Sequence, residues 1–177
     1  HMVETNIDDY KDKEIHDIQN NSPVIRKLTS EESLLELLQG SVYFHVWGKL
    51  FRRELFNSDI TFPIGRNYED LATTWKIIEI SNGVALSRRK LYYHNRFNPD
   101  SITRTKTMSN ICDRWNSSKE MFIGISHKNP ELYQLSVKQC LISVSHAWRW
   151  ACSNNWTDIN NHYNCLKEMN SFAKEHK

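Results

Sequence analysis

The sequence predicts a helix-dominated α+β fold, and three observations lead to that prediction. Glycine and proline, the residues that most often interrupt helices, number only five and four in 177 residues. Apolar residues make up 39% of the chain and recur mainly at intervals of three and four, which places them on one face of a helix. One stretch near the middle instead favours strands. We therefore expect about six helices and one small sheet, in a chain whose length suits one domain.

A polar stretch comes first in the chain. Residues 1–28 mix acidic and basic side chains, as in NIDDYKDKEIHD, without a sustained apolar period. Such a stretch cannot bury one face, so it predicts a polar tail or an edge segment.

Two helices are predicted next. Thr29 or Ser30 can cap a helix that carries glutamates in its first turn and leucines at helical spacing, and that ends at Gly40. Near 45–56 a second apolar stripe predicts another helix. Its members are Val46, Trp47, Leu50, Phe51 and Leu55.

The segment FPIGRNYEDLATTWKII predicts the end of a link and the start of a third helix. Turn-forming residues and a proline make 57–66 irregular. Asn67 is suited to be the N-cap, and Asp70 lies three residues on, where a capping partner belongs. Apolar residues at helical spacing then continue to about Ser81.

Two short strands and three helices complete the prediction. GVALSRRKLYYHN contains two strand-like runs around a basic turn, so strands near 83–87 and 91–95 are expected to pair. The remaining helices are expected near 109–126, 130–153 and 156–175.

The charge balance argues against several partners. Lys and Arg total 23 and Asp and Glu 21, for a formal charge of +2, and the two signs are interspersed. A broad basic surface is therefore not expected, and we predict no nucleic-acid partner. No apolar run approaches the roughly 20 residues that a membrane helix requires.

The cysteines do not form a disulfide or metal pattern. They are Cys112, Cys140, Cys152 and Cys165. Their wide spacing predicts free thiols in a reducing compartment. Cys152, His162 and Cys165 come nearest to a ligand set, but no Cys-x-x-Cys pair completes a zinc site, so no metal site is predicted.

Three blocks in order, VWGKLFRRELF, FPIGRNYEDLA and LYYHNRFNPDSIT, resemble the second half of family 2 glycosyltransferases of the GT-A fold. Those bacterial enzymes typically read there as Trp-x-Lys-Leu, then F-P-x-G-x-x-x-E-D opening a helix, then Y-x-Y/H-x-x-R leading to S-I-T. The match covers about residues 29–104. It implies the acceptor-side part of the glycosyltransferase domain at 29–108. The polar tail or edge segment at 1–28 and a C-terminal helical subdomain at 109–177 complete the predicted organisation of the chain.

The chain differs from that family because it lacks a counterpart of the first half of those enzymes. The family's parallel-sheet nucleotide-binding unit, which ends in an Asp-x-Asp metal motif, has no counterpart in this sequence. Asp8, Asp9 and Asp12 do not follow an apolar strand, so we interpret them as solvated. No glycine-rich phosphate loop and no serine or cysteine nucleophile set occurs either. We therefore expect a truncated C-terminal part of a longer enzyme, inactive by itself.

The resemblance implies roles for six residues. Asp70 is the expected base, which takes the proton of the acceptor hydroxyl in an inverting transfer, and Glu69 is its orienting neighbour or an acceptor ligand. His94, Arg96 and Arg104 are expected to help neutralise the departing diphosphate. Trp47 is a further substrate-binding candidate. A divalent ion, Mg or Mn, is expected on the Asp-x-Asp motif of the full-length enzyme and not on this chain.

The resemblance also implies the partners and the location. These are a nucleotide-sugar donor, a saccharide or lipid-linked acceptor in bacterial surface polysaccharide synthesis, and a cytoplasmic location with peripheral contact at the inner face of the membrane. An apolar patch near Trp47 and Leu71 would also favour a homo-oligomer.

Alternative interpretations stay open at this stage. Acidic residues in a first helical turn contribute about 0.3–1 kcal/mol through the helix dipole, which explains Glu69 and Asp70 without catalysis. Trp47 lies on an apolar stripe and suits a core position, and His94 suits packing as well as ligand binding. The tryptophans at 148, 150 and 156 suit a core, a dimer contact or a membrane interface. The whole chain also suits a non-catalytic binding or docking module on the same scaffold.

Overall fold

The computed structural model of the chain describes residues 2–10, 25–56, 59–95, 107–153 and 162–177. Within these ranges the protein is a helix-dominated α+β fold, as predicted. The described ranges contain five α-helices and four strands, where about six helices and two strands were expected. The elements are β1 (Met2–Tyr10), β2 (Ile25–Leu28), α1 (Ser30–Gln39), β3 (Lys49–Phe51), α2 (Glu69–Ile80), β4 (Val84–Asn95), α3 (Met108–Lys128), α4 (Tyr133–Ser153) and α5 (Tyr163–Glu175). Short 3-10 turns occupy Arg53–Leu55 and Pro130–Leu132.

The chain divides into two compact units, where its length suggested one domain. The sheet unit comprises 1–61 and 73–101, and the helical unit comprises 62–72 and 102–177. The division falls within α2, whose first turn belongs to the helical unit.

The sheet of the first unit has the strand order β2-β4-β1-β3. Strand β4 is antiparallel to β2 and parallel to β1, and β1 is antiparallel to β3, with Val3 opposite both Ala85 and Leu50. The predicted pairing of 83–87 with 91–95 is wrong, because both segments belong to the single strand β4. The three residues between them, RRK, include none of the Gly, Asn or Asp that a tight hairpin turn favours.

Helix α1 forms as the sequence predicts. The Thr29 hydroxyl accepts a hydrogen bond from the Glu32 amide (3.2 Å), and the Glu32 carboxylate accepts one from the Thr29 amide (2.8 Å). This capping box satisfies two amides that the helix itself leaves unpaired. The helix ends at Gly40, which has a left-handed φ of 90°. Leu34, Leu37 and Leu38 are buried.

The predicted helix near 45–56 does not form. A turn at Trp47–Gly48, the strand β3 and a 3-10 turn take its place. Gly48 has a φ of 71°, which is incompatible with a right-handed helix, and the residues after it pair with β1. The apolar spacing misled the prediction because several of these residues are not buried on one face, and the Leu50 side chain is 72% exposed.

The core of the helical unit is formed by α3, α4 and α5. The boundaries of these helices are near those predicted for the three C-terminal helices. Its buried members include Ile111, Trp115, Val137, Val144, Met169 and Phe172. Trp115 is fully buried, and its indole N–H donates to Glu168 (2.8 Å), which also pairs with Lys119 (2.7 Å). Trp150 packs against this core, whereas Trp148 is 53% exposed. Trp156 lies outside the described residues.

The cysteines differ from their prediction. Cys112 of α3 and Cys165 of α5 form a disulfide with a Cα separation of 6.1 Å, so the expectation of free thiols is wrong for these two. Helix packing brings them together across 53 residues of sequence, a proximity that spacing alone does not reveal. Cys140 is a free, buried thiol, and burial raises its pKa to about 12. It is therefore protonated and unreactive at neutral pH.

No helix in the described part of the chain is long and apolar enough to cross a membrane. Leu71 is 5% exposed, so it does not contribute to the exposed apolar patch that was expected around it.

Candidate functional site

The two candidate carboxylates lie where the sequence predicts them, in the first turn of α2. The helix begins at Glu69, and both Glu69 and Asp70 are half-buried. One Asp70 carboxylate oxygen accepts a hydrogen bond from the Leu71 amide (2.7 Å). This bond fixes the direction of the carboxylate at the start of the helix.

The residue before this helix has an unusual backbone conformation. Tyr68 has a φ of 58°, and among the described residues no other non-glycine residue has a positive φ. For a bulky side chain this left-handed conformation costs about 1–2 kcal/mol. The carbonyl of Tyr68 accepts the amide of Ala72 (3.1 Å), so Tyr68 occupies the position where Asn67 was expected as the N-cap.

One face of α3 holds this segment, and we call it the α3 polar face. It consists of Asn110, Asp113, Arg114, Ser117 and Glu120. These positions recur at intervals of three and four, so their side chains share one side of the helix. The polar face lies within the helical unit, as do the residues that it holds.

Arg66 and Asn67 make the charged and amide contacts to this face. The Arg66 guanidinium donates to both carboxylate oxygens of Glu120 (2.7 and 3.1 Å) and to the Ser117 hydroxyl (3.0 Å). The hydrogen bonds that Arg66 donates to Glu120 raise the pKa of Arg66 above its ordinary value. The Asn67 amide donates to Asp113 (3.1 Å), and its side chain donates to Asn110 (2.8 Å).

Tyr68 is held at its carbonyl and at its ring. The hydroxyl of Ser117, a fully buried residue, donates to the Tyr68 carbonyl (3.1 Å). The Arg114 guanidinium lies over the Tyr68 ring, 5.3 Å from its centroid, at a distance typical of a cation–π contact.

The sheet unit contains a second group of candidate residues, which we call the aromatic stack. It consists of Tyr43, His45, Trp47, Tyr92 and His94. Trp47 lies at its centre, with ring centroids 3.6 Å from His45, 4.4 Å from His94 and 5.3 Å from Tyr92. The structure thus brings Trp47 and His94 together, two residues that the sequence proposed separately as substrate-binding.

His45 is a member of the stack that the sequence reasoning missed. Burial, then the nearby charges of Lys49 and His94, lower its pKa to about 4, so the imidazole is neutral at physiological pH. A signal was present: in YFHVW, Tyr43, His45 and Trp47 alternate with other residues, the spacing that puts side chains on one side of an extended chain. The helical interpretation of this segment concealed it.

Rings at the ends of the stack are open to solvent. Tyr43 is 47% exposed and Tyr92 is 36% exposed, whereas Trp47 is half-buried by its neighbours. An aromatic surface of this kind can bind the apolar face of a sugar or of a nucleobase.

The structure describes some of the predicted site residues and not others. Arg96 and Arg104 lie outside the described residues, and their assignment stays a prediction. Glu69 and Asp70 are adjacent in the helical unit, and Trp47 and His94 are in contact in the sheet unit. In the described ranges no three His, Cys, Asp or Glu side chains are arranged to hold a metal ion, and Cys165, part of the nearest predicted set, is in a disulfide.

Comparison with known proteins gives no further guide, because no family model and no curated protein matches the chain.

Proposed function

We propose that this chain is the acceptor side of an inverting glycosyltransferase that transfers a hexosyl group from a nucleotide-sugar to a saccharide or lipid-linked acceptor. The full-length enzyme would act in bacterial surface polysaccharide synthesis at the membrane. The disulfide between Cys112 and Cys165 removes the support that free thiols gave to a cytoplasmic location. The observation that supports the proposal is the half-buried pair Glu69 and Asp70 in the first turn of α2. This is the arrangement that the resemblance of FPIGRNYEDLA implies.

Asp70 is the base in this proposal. Its carboxylate takes the proton of the acceptor hydroxyl while the hydroxyl oxygen forms a bond to the anomeric carbon. The bond from that carbon to the diphosphate breaks, and its electron pair leaves with the diphosphate. The bond from the Leu71 amide fixes the direction of the Asp70 carboxylate. Glu69 orients Asp70 or binds an acceptor hydroxyl.

The aromatic stack is the proposed substrate-binding surface of the sheet unit. Trp47 anchors the stack, and the partly exposed rings of Tyr43 and Tyr92 offer apolar faces to a sugar. His94, with Arg96 and Arg104, is proposed to meet the departing diphosphate, since imidazole and guanidinium groups stabilise negative charge on oxygen.

A nucleotide-binding half supplied by a longer chain would bind the donor. The Mg or Mn ion that the resemblance implies would be bound there, on the Asp-x-Asp motif. The chemistry assigned to this chain therefore contains no step through a metal.

The test is Asp70→Asn in the full-length protein. The assay measures nucleoside diphosphate released from UDP-, GDP- and dTDP-hexoses in the presence of an oligosaccharide acceptor pool. We expect release to fall about 100-fold or more, because a positioned base contributes about 10² to 10⁴. The free energy of unfolding should fall by no more than about 1 kcal/mol, because Asn retains capping ability.

Three comparisons make this test decisive. Glu69→Gln should reduce release less than Asp70→Asn, and donor affinity should survive both changes. The 177-residue chain alone should release no nucleoside diphosphate. Wild-type release by folded Asp70→Asn would overturn the assignment of the base. A full-length protein that binds saccharides but releases no diphosphate from any donor would instead favour a non-catalytic binding module.

A further inference from the structure

The segment before the candidate carboxylates is held more firmly than the start of a helix requires. A helix N-terminus needs a cap for its free amides, which a single side chain commonly supplies. Here three consecutive residues, Arg66, Asn67 and Tyr68, each contact the α3 polar face. The excess of contacts suggests a purpose other than starting α2.

Those contacts converge on the strained residue. Asp113 accepts the amide of Asn67, the residue before Tyr68, and the Ser117 hydroxyl donates to the carbonyl of Tyr68 itself. The Arg114 guanidinium holds the ring of the same residue. An unfavourable backbone conformation persists only where its surroundings over-determine it, and such residues cluster at functional sites.

The conformation of Tyr68 has a direct consequence for the carboxylates. Glu69 and Asp70 are the next two residues, so the backbone dihedral angles at position 68 set the direction of the first turn of α2. A displacement of about 1 Å in a catalytic group can cost about 100-fold in rate.

We propose that the α3 polar face positions the Asp70 carboxylate by holding Tyr68 in the left-handed conformation. Asp113 and Ser117 are the positioning residues, since Asp113 holds the amide of the preceding residue, Asn67, and Ser117 holds the carbonyl of Tyr68. This inference rests on the proposed function of Asp70 as the base. It also gives the C-terminal helices, which lie largely outside the resemblance, a role in the reaction.

A pair of substitutions at Asp113 tests the positioning role in the full-length protein. Asp113→Ala removes the acceptor of the Asn67 amide, so kcat for diphosphate release should fall about 10-fold while KM for the donor changes less than about twofold. Asp113→Asn keeps an acceptor oxygen and should restore most of kcat. A matched control is Glu168→Gln, which alters a polar contact of the same helical unit away from Arg66–Tyr68 and should leave kcat unchanged.

A second variant tests whether the conformation of Tyr68 is what the polar face controls. Asn accepts a positive φ more readily than Tyr. In a Tyr68→Asn background, Asp113→Ala should therefore cost about threefold in kcat rather than about 10-fold, a non-additivity that a purely structural contact would not produce. Equal losses in the two backgrounds would overturn the proposal.

Asp70→Asn, measured in parallel, separates this inference from the proposed function. If Asp70→Asn abolishes transfer and Asp113→Ala leaves kcat unchanged, the positioning role is wrong and the proposed function stands. If Asp70→Asn transfers at the wild-type rate, the proposed function fails. In that case, amide hydrogen exchange decides whether the polar face holds the segment. Faster exchange at Glu69–Ala72 in Asp113→Ala supports the holding of this turn, and unchanged exchange overturns it.

Discussion

In the sheet unit the candidate residues Trp47 and His94 are held by ring stacking, whereas in the helical unit Glu69 and Asp70 follow a segment held by charged and amide hydrogen bonds. Stacked rings depend on contact area, tolerate salt and accept small shifts of position. Charged hydrogen bonds are directional and fix a geometry more closely. The segment before Glu69 and Asp70 is therefore fixed in direction more closely than the stacked rings are.

The two units also differ in the interactions that stabilise their helices, strands and turns. The helical unit has a buried core from three helices and a disulfide between two of them. The sheet unit secures the turn at Trp47–Gly48 by the stack, by pairing of β3 with β1, and by a bond from Lys49 to the carbonyl of His45 (2.6 Å). The two sets of contacts should therefore respond to different perturbations.

The largest expected effect concerns the disulfide of the helical unit. Cys165→Ser should lower the free energy of unfolding by about 2–4 kcal/mol, because the bridge closes a long loop in the unfolded chain. Urea unfolding followed by tryptophan fluorescence measures the loss, and dithiothreitol should destabilise the wild type but not the variant. Alkylation of both Cys112 and Cys165 in the unreduced, unfolded protein would contradict the bridge.

A smaller effect is expected from the centre of the aromatic stack. Trp47→Ala removes three ring contacts at a half-buried position and should cost about 1–3 kcal/mol. Tyr43→Ala removes the exposed end of the same stack and should cost less than about 1 kcal/mol. Near-ultraviolet circular dichroism and urea unfolding follow both variants. Equal losses would show that Trp47 does not organise the stack.

The smallest effect is the pH dependence contributed by His45. Its pKa of about 4 in the folded protein lies below the ordinary value of 6.5, so the unfolded chain binds a proton first as the pH falls. The contribution of His45 is therefore complete above pH 6.5 and is lost progressively as the pH falls towards 4. With allowance for solvent screening of a half-buried ring, about 1 kcal/mol should be lost.

His45→Phe isolates this contribution, because a phenyl ring keeps the stacking and cannot titrate. Between pH 7 and 5 the wild type should lose more stability than the variant. The difference should be most of the loss of about 1 kcal/mol attributed to His45. The same pH dependence in both proteins would show that the imidazole is not protected by burial.

Local signals in the sequence predicted much of the fold. Thr29, Glu32 and Gly40 specify the ends of α1 through their own side-chain and backbone chemistry, without help from distant residues. The helical periods of the last third predicted α3, α4 and α5, because helix–helix packing requires a continuous apolar stripe. The acidic first turn of α2 was also predicted correctly at Glu69 and Asp70, although Tyr68 takes the N-cap position expected for Asn67.

Other elements could not be predicted from local signals. Strand β1 pairs through its backbone, and its polar sequence carries no apolar alternation that would indicate a strand. The segment after Val46 has apolar residues at helical spacing, and only the left-handed Gly48 and the pairing of β3 exclude a helix there. A pattern of apolar residues is ambiguous when it is short, and neighbouring strands then decide its structure.

By itself, the sequence determined the fold class, the ends of α1, the start of α2 and the pair of candidate carboxylates, since these depend on residues within a few positions of one another. Only the tertiary structure decided the disulfide between Cys112 and Cys165, the aromatic stack around Trp47 and the contacts of the α3 polar face with Arg66–Tyr68. The residues that these contacts join lie 43 to 54 positions apart in the sequence, except for Tyr43, His45 and Trp47, which are near neighbours. Such contacts form because burial of the cores brings distant segments together, and no local propensity specifies which distant side chains will meet.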